Sequence, residues 1–296
     1  MTAPASQPIK AALWMMGAVF GFSSMAVAGR QLSLGLDTFE IMTYRSLIGI
    51  VTVTGLALVT GRVGEIQARA LPLHFGRNIA HFAGQNLWLF ALTLIPLAQL
   101  FALEFSYPIL VALGAAIFLG ERLTPTRVVT AIVGFAGILI VARPFEAGGL
   151  SLGILAAMAC AVGFAGSALF TKKLTRTSGV TITQIMFWLS AMQLVFGLIC
   201  SGIDGDIAWM TWAQFPWVCV ISLAGLAAHF SLTTALSLAP ASIVTPVDFL
   251  RLPLIAVIGM ALYNEPLELA VFVGAAIIFG ANYANILSES RRSKAT

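Results

Sequence analysis

Ten apolar runs, each of roughly twenty residues and so of a length to cross a bilayer core as an α-helix, follow one another along this chain with only short polar breaks. They lie at about 10–29, 37–60, 72–94, 97–119, 126–143, 151–170, 181–202, 215–237, 241–263 and 266–287. The composition admits no other solvent: 59% of the 296 residues are hydrophobic and 9% are charged. In lipid, only helices and closed barrels satisfy every backbone group. A barrel would alternate apolar and polar residues over segments of about ten, and these runs are unbroken. The sequence predicts an all-α integral membrane protein of ten transmembrane helices, with almost nothing left for a soluble domain. Lys10 and Ala26-Val27-Ala28 give the first run the outline of a signal peptide. Nine further runs follow and the repeat described next needs the first, so it reads as an uncleaved anchor.

The second half repeats the first at a constant offset of 144 residues. Leu92-Thr93-Leu94-Ile95-Pro96 is followed 25 residues after its proline by Glu121, and Leu236-Ser237-Leu238-Ala239-Pro240 at the same distance by Glu265. Phe105 falls on Phe249, Leu110 on Leu254, Ala112 on Ala256, and acidic Glu104 on acidic Asp248. Each copy, residues 1–148 and 149–296, holds five runs. An odd number per copy places the second copy upside down in the membrane, the plan of secondary transporters whose halves rock about a midplane site.

Charge placement agrees with a five-plus-five inverted repeat. With the N-terminus inside, cytoplasmic segments hold Lys10, Arg62, Arg69, Arg77, Arg122, Arg127, Lys172, Lys173, Arg176, Arg291, Arg292 and Lys294, whereas outer loops hold only Arg30 and Arg143. Arg45 and Arg251 lie within spans. This bias predicts both termini in the cytoplasm. It also explains the net charge of +4 as topology, with no nucleic-acid partner. Cys160, Cys200 and Cys219 show no metal spacing and read as core packing. No Gly-x-x-x-x-Gly-Lys-[Ser/Thr], His-Glu-x-x-His or Gly-x-Ser-x-Gly pattern is present. The expectation is a protein that is not an enzyme, takes no cofactor or metal, and is not driven directly by ATP.

The chain resembles the drug/metabolite transporter superfamily, EamA type. The resemblance rests on the inverted repeat, on Gly-Glu-Arg-Leu-Thr-Pro at 120–125 and on Asn-Glu-Pro-Leu at 264–267. In that family an acidic residue precedes the fifth and tenth spans and glycines follow on the next helix. Here these are Glu121 with Gly137, and Glu265 with Gly274 and Gly280. Thr130 stands where the second copy has Gly274, and Asn264 where the first has Gly120. By overall look the chain also resembles the YddG-type exporters of aromatic and other neutral amino acids. The family implies a central cavity lined mainly by spans 1, 3, 4, 6, 8 and 9.

Polar side chains in hydrocarbon are costly and each needs a partner or a task. The third run carries Asn78, His81, Gln85 and Trp88, spaced to share one helical face. The eighth carries Ser222, His229 and Thr233. At the repeat offset Gln85 falls on His229, and both lie near the middle of their runs. These residues form either a midplane binding site or interhelical hydrogen bonds. Asp248 and Arg251 in the ninth run are three apart. Glu104, with Tyr107 three residues on, lies in the fourth, and Arg45 in the second. The charges either compensate one another, Asp248 with Arg251 or Arg45 and Glu104 with another cation, or they bind a zwitterion or exchange partners as gating or coupling groups. His229, Glu104 or Asp248 could alternatively carry a proton. Pro96 and Pro240 open spans 4 and 9, and Pro108, Pro246 and Pro253 are expected to bend them. Trp88 is the foremost stacking candidate, and Trp209, Trp212 and Trp217 read as an interfacial belt.

These observations converge on a secondary transporter in a bacterial inner membrane, working by alternating access. The expected cargo is aromatic and other neutral amino acids, exported. Lipophilic cations, drugs or nucleoside-like metabolites are the alternative cargo, and a channel or intramembrane enzyme the remote one. The partners are a small solute, a proton as an open second species, and the lipid itself. Monomer and homodimer remain equally open.

Overall fold

The computed structural model describes residues 7–118, 120, 124–143, 150–175, 177–203, 207–239 and 247–295. Glu121, Arg122, Arg176, Pro240, Pro246 and both chain ends lie outside the described residues. Regular structure among the described residues is helical: α1 (Pro8–Leu32), α2 (Thr38–Val59), α3 (Leu71–Leu94), α4 (Leu97–Glu104), α5 (Tyr107–Phe118), α6 (Pro125–Ala142), α7 (Leu152–Thr175), α8 (Ile182–Ser201), α9 (Phe215–Leu238), α10 (Arg251–Tyr263) and α11 (Leu269–Ala295), with a 3-10 turn at Val63–Glu65. Each of the ten apolar runs contains helix. Seven stretches are long and apolar enough to cross a membrane: α1, α2, α4 with α5, α7, α8, α9 and α11. Helices α6 and α10 contribute shorter apolar segments, and α3 runs 24 residues but carries the polar stripe.

Local chemistry sets the helix ends. Asp37 and Glu40 form a reciprocal capping box at the start of α2, each carboxylate accepting from the other's backbone N–H at 2.7 and 2.9 Å. Pro72 and Pro216 sit in the first turns of α3 and α9, where a missing N–H leaves no gap. The α5–α6 and α10–α11 connections explain the exchange of Gly120 for Asn264 between the repeats. Gly120 has φ +66° and Asn264 has φ +53°. The repeat needs a left-handed residue there, and after glycine asparagine tolerates that conformation best.

Helices of the two halves interlock. α1 packs along α9 and α3 along α7, pairs that exchange under the 144-residue offset, while α2 packs on α8 and α6 on α11. Small residues bring the backbones together. A Cβ on Gly21 would lie 2.9 Å from the Ala224 carbonyl oxygen, one on Gly163 would lie 2.7 Å from Gly84 Cα, and one on Gly137 would lie 2.8 Å from the Gly274 carbonyl oxygen. Gly17, one turn before Gly21, also faces α9, where its Cβ would lie 3.0 Å from Ser231 Oγ.

The fourth span and the described part of the ninth are interrupted outright, within four residues of Pro108 and Pro253, where a bend was expected. α4 stops at Glu104 and α5 begins at Tyr107. The repeat-equivalent positions Phe249 and Leu250 form a turn before α10. Pro108 is the second residue of α5 and Pro253 the third of α10, so both occupy first turns that need no N–H. At the breaks Phe105 and Phe249 stack, centroids 4.6 Å apart and planes 23° apart.

Candidate functional site

The two helix breaks open onto a cavity of about 370 Å³. Its walls come from α1, α3, α4, α5, α7, α8, α9, Asp248 and α10. The family-based expectation omitted span 7, yet α8 contributes Ile182, Ile185 and Met186. Lining residues extend from Trp88 and Glu104 to Thr175 and Ile182, the last residue of α7 and the first of α8. The cavity thus reaches the end of the molecule that carries the α7–α8 connection.

A buried charge cluster forms its inner end. Arg251 sits between two carboxylates, with Nη1 3.5 Å from Glu104 Oε1 and Nη2 3.3 Å from Asp248 Oδ2. The rings of Phe22, Phe101 and Phe105 surround its guanidinium at 4.9, 5.0 and 4.7 Å. The Trp88 indole N–H donates to Glu104 Oε2 at 2.8 Å. Each break therefore delivers one carboxylate, Glu104 before Phe105 and Asp248 before Phe249. Under the repeat offset Arg251 occupies the place of Tyr107, which lines the same wall. Among the described residues Asp248 Oδ1 and Arg251 Nε are buried without a partner, so the cluster keeps unused acceptor and donor capacity.

Midway along the cavity stand His81, Gln85 and His229. The His81 and His229 rings are 6.2 Å apart; Phe22 meets His229 edge-on at 5.2 Å, and Phe164 meets His81 at 5.8 Å. Of the polar residues singled out in the sequence, His81, Gln85, Trp88, Glu104, Tyr107, His229, Thr233, Asp248 and Arg251 all line the cavity. Asn78 does not. Its amide nitrogen donates to the carbonyl oxygens of His74 and Trp188 at 2.8 and 3.2 Å, which turns it toward α8. Arg45 also lies apart, in a separate small pocket, and Arg251 takes both carboxylates. Arg77, placed by the sequence reading in a cytoplasmic segment, is buried on α3, lines the cavity and donates from Nε to Thr171 Oγ1 at 2.8 Å. Its spacing of four from His81 was the available signal.

The opposite end is closed by Arg30 and Glu265. Arg30 forms an ion pair with Glu265 and donates from Nε to Leu92 O and from Nη2 to Ile95 O, both at 2.8 Å. Glu265 Oε2 accepts from the Leu97 backbone N–H at 2.8 Å. The Tyr263 ring lies 4.8 Å from the guanidinium. One carboxylate therefore joins α1, the α3–α4 corner and the α10–α11 connection. The sequence marked Glu265 as a repeat signature without indicating this partner.

A bundle of interlocked repeats around a cavity with a charged inner end defines a solute carrier of the membrane. The EamA-like transporter family model matches residues 9–143 and 151–286. The chain belongs to that family and is a multi-pass membrane transporter. Similar proteins include a riboflavin transporter of Brucella anthropi, 30% identical over 88% of this chain and 92% of that one, and a riboflavin transporter of Rhizobium johnstonii, 28% identical over 98% and 95%. An S-adenosylmethionine uptake transporter of Rickettsia bellii is 24% identical over 94% of each chain. A protein of known crystal structure, 20% identical, matches 95% of this chain and 98% of its own with a TM-score of 0.64, a likeness of fold.

Proposed function

We propose that this protein is an alternating-access secondary transporter for a planar, polar heterocycle of riboflavin's kind. The observation that carries the reading is the cavity itself. At about 370 Å³ it falls in the size range of drug-sized ligand pockets, roughly 300–1,000 Å³. Phe22, Trp88, Phe101, Tyr107 and Phe164 supply faces and edges for a conjugated ring. Gln85, His81, His229 and Arg77 offer hydrogen bonds to ring heteroatoms or a hydroxylated chain. The riboflavin transporters among its relatives support the same cargo.

A second reading keeps a zwitterion as cargo, either an aromatic or neutral amino acid or S-adenosylmethionine. Arg251 between Glu104 and Asp248 favours it, because a carboxylate and an ammonium could each replace one partner in that cluster. In both readings the ten runs cross the membrane as two inverted five-helix units with both termini cytoplasmic. The cavity then opens inward beside Lys172 and Lys173, and the Arg30–Glu265 pair closes the outer face. Export and import differ only in the gradient that drives such a carrier.

Counterflow of radiolabelled riboflavin in proteoliposomes tests the proposal, with S-adenosylmethionine, phenylalanine and a nucleoside as competitors, with and without a pH gradient. Riboflavin is expected to exchange and to compete best. Gln85→Ala and His229→Ala are expected to lower exchange at least tenfold in folded protein. An inert riboflavin beside an effective phenylalanine or S-adenosylmethionine would select the second reading. Full exchange in both variants would place the guest elsewhere.

A further inference from the structure

Beside the main cavity, between α2, α3, α8 and α9, lies a second pocket of about 30 Å³ lined by Arg45, His81, Ser190, Gln193, Ser222 and His229 among others. We infer that it is a binding site for one small monovalent anion of halide size, the counterion of Arg45.

The donors in this pocket outnumber what the protein gives them. Arg45 makes one hydrogen-bond contact among the described residues, 3.7 Å to the Met42 sulfur, and no carboxylate lines the pocket. Among the described residues, the Nε2 of Gln193, a residue 2% exposed, has no partner, and neither has the buried His81 Nδ1, a donor or an acceptor according to the tautomer. The hydroxyls of Ser46 and Ser190 complete the wall. Ser222 already donates to Val218 O at 2.6 Å. The guanidinium reaches this position because α9 has no side chain at Gly225, where a Cβ would lie 3.2 Å from Arg45 Nη2.

Other arginines of the chain show what pairing looks like here. Arg251 meets two carboxylates and Arg30 meets Glu265; Arg77 bonds Thr171 instead, but it lines the wide main cavity rather than a confined pocket. Arg45 is half-buried, and a cation inside the bundle with no opposite charge beside it is unfavourable where the dielectric is low. Water can occupy the space, since a water needs roughly 10–15 Å³ of such volume, but it brings no charge. A monatomic anion fits the same space and accepts from Arg45, Gln193 and the serine hydroxyls together. The space is too small for a lipid phosphate. His81 and His229 line both pockets, so their rings stand between this ion and the transported solute.

Binding of 36Cl⁻ to the purified full-length protein in nanodiscs, by equilibrium dialysis in sodium gluconate, tests the site. Saturable binding of one chloride per chain, displaced by bromide, is expected. Arg45→Gln is expected to abolish it, and Gln193→Leu to weaken it about tenfold through loss of one donor to a charged group. Gly225→Ala, which intrudes on the guanidinium, is also expected to weaken it and decides the matter together with Gln193→Leu if Arg45→Gln does not fold. Absence of saturable binding in folded wild-type protein would overturn the inference, leaving a water-filled pocket. Binding unchanged in Gln193→Leu and Gly225→Ala would overturn it as well.

Discussion

Arg251 is buried and Arg45 half-buried, and the surroundings of these two arginines differ completely. Arg251 is 3% exposed, with carboxylates on two sides and three aromatic rings around it. Its placement is tolerable because both terms act together: charge pairing offsets desolvation, and ring faces contribute about 0.5–2 kcal/mol each. The Asp248–Arg251 pair is expected to be energetically coupled. In a double-mutant cycle of Asp248→Asn and Arg251→Gln, unfolding free energies should depart from additivity by about 0.5–3 kcal/mol. Additive losses would reject the pair. At this scale the sequence showed which residues were costly in lipid and left their partners open. Asn78 illustrates why. A helix turns about 100° per residue, so residues spaced three and four apart drift across a broad stripe. Asn78 lies at the edge of that stripe, where α8 supplies the carbonyl oxygen of Trp188.

Among the elements, close approach decides the pairing. Glycine and alanine let α3 and α7 touch at Gly84 and Gly163, and let α6 and α11 touch at Gly137 and Gly274. Such contacts drive helix association where lipid supplies no hydrophobic force. Gly163→Ala is expected to destabilise the bundle by about 1–3 kcal/mol, the cost of overpacking, read as a lower thermal midpoint in nanodiscs. The same substitution at Gly55, whose Cβ would meet nothing within 4 Å, should be neutral or stabilising. The interrupted spans belong to this scale too. Proline pointed to irregularity in the fourth and ninth runs, but the breaks fall at Phe105–Ser106 and Phe249–Leu250, where they carry Glu104 and Asp248 into the cavity. Pro108 and Pro253 have no N–H for the carbonyls of Glu104 and Phe249, four residues earlier, which stops one helix and starts the next, and Phe105 and Phe249 stack at the breaks.

Considered whole, the molecule is asymmetric although its halves repeat. One end is tied by Arg30 and Glu265, while the other admits the cavity. Glu265→Gln removes the charge of that tie and keeps the size of the side chain. Loss of a charged hydrogen bond is worth about 1.5–3 kcal/mol. In protein whose three native cysteines are replaced, a cysteine at Ile95→Cys should therefore react with a polar thiol reagent about tenfold faster when Glu265→Gln is added. An unchanged rate would show that the tie does not hold the end closed.

The lengths of the runs, their number, the repeat offset and the distribution of cationic residues were all decided along the chain itself. Lipid imposes its demands on each segment separately: every span must satisfy its own backbone and present an apolar surface. Partnership is not a property of a segment. That α1 lies on α9, that Arg251 holds two acids while Arg45 holds none, that Asn78 faces α8 and Arg77 the cavity, and that Glu265 meets Arg30 across 235 residues were settled only when the helices met, because short-range contacts and a low dielectric make each side chain's energy depend on its nearest neighbours.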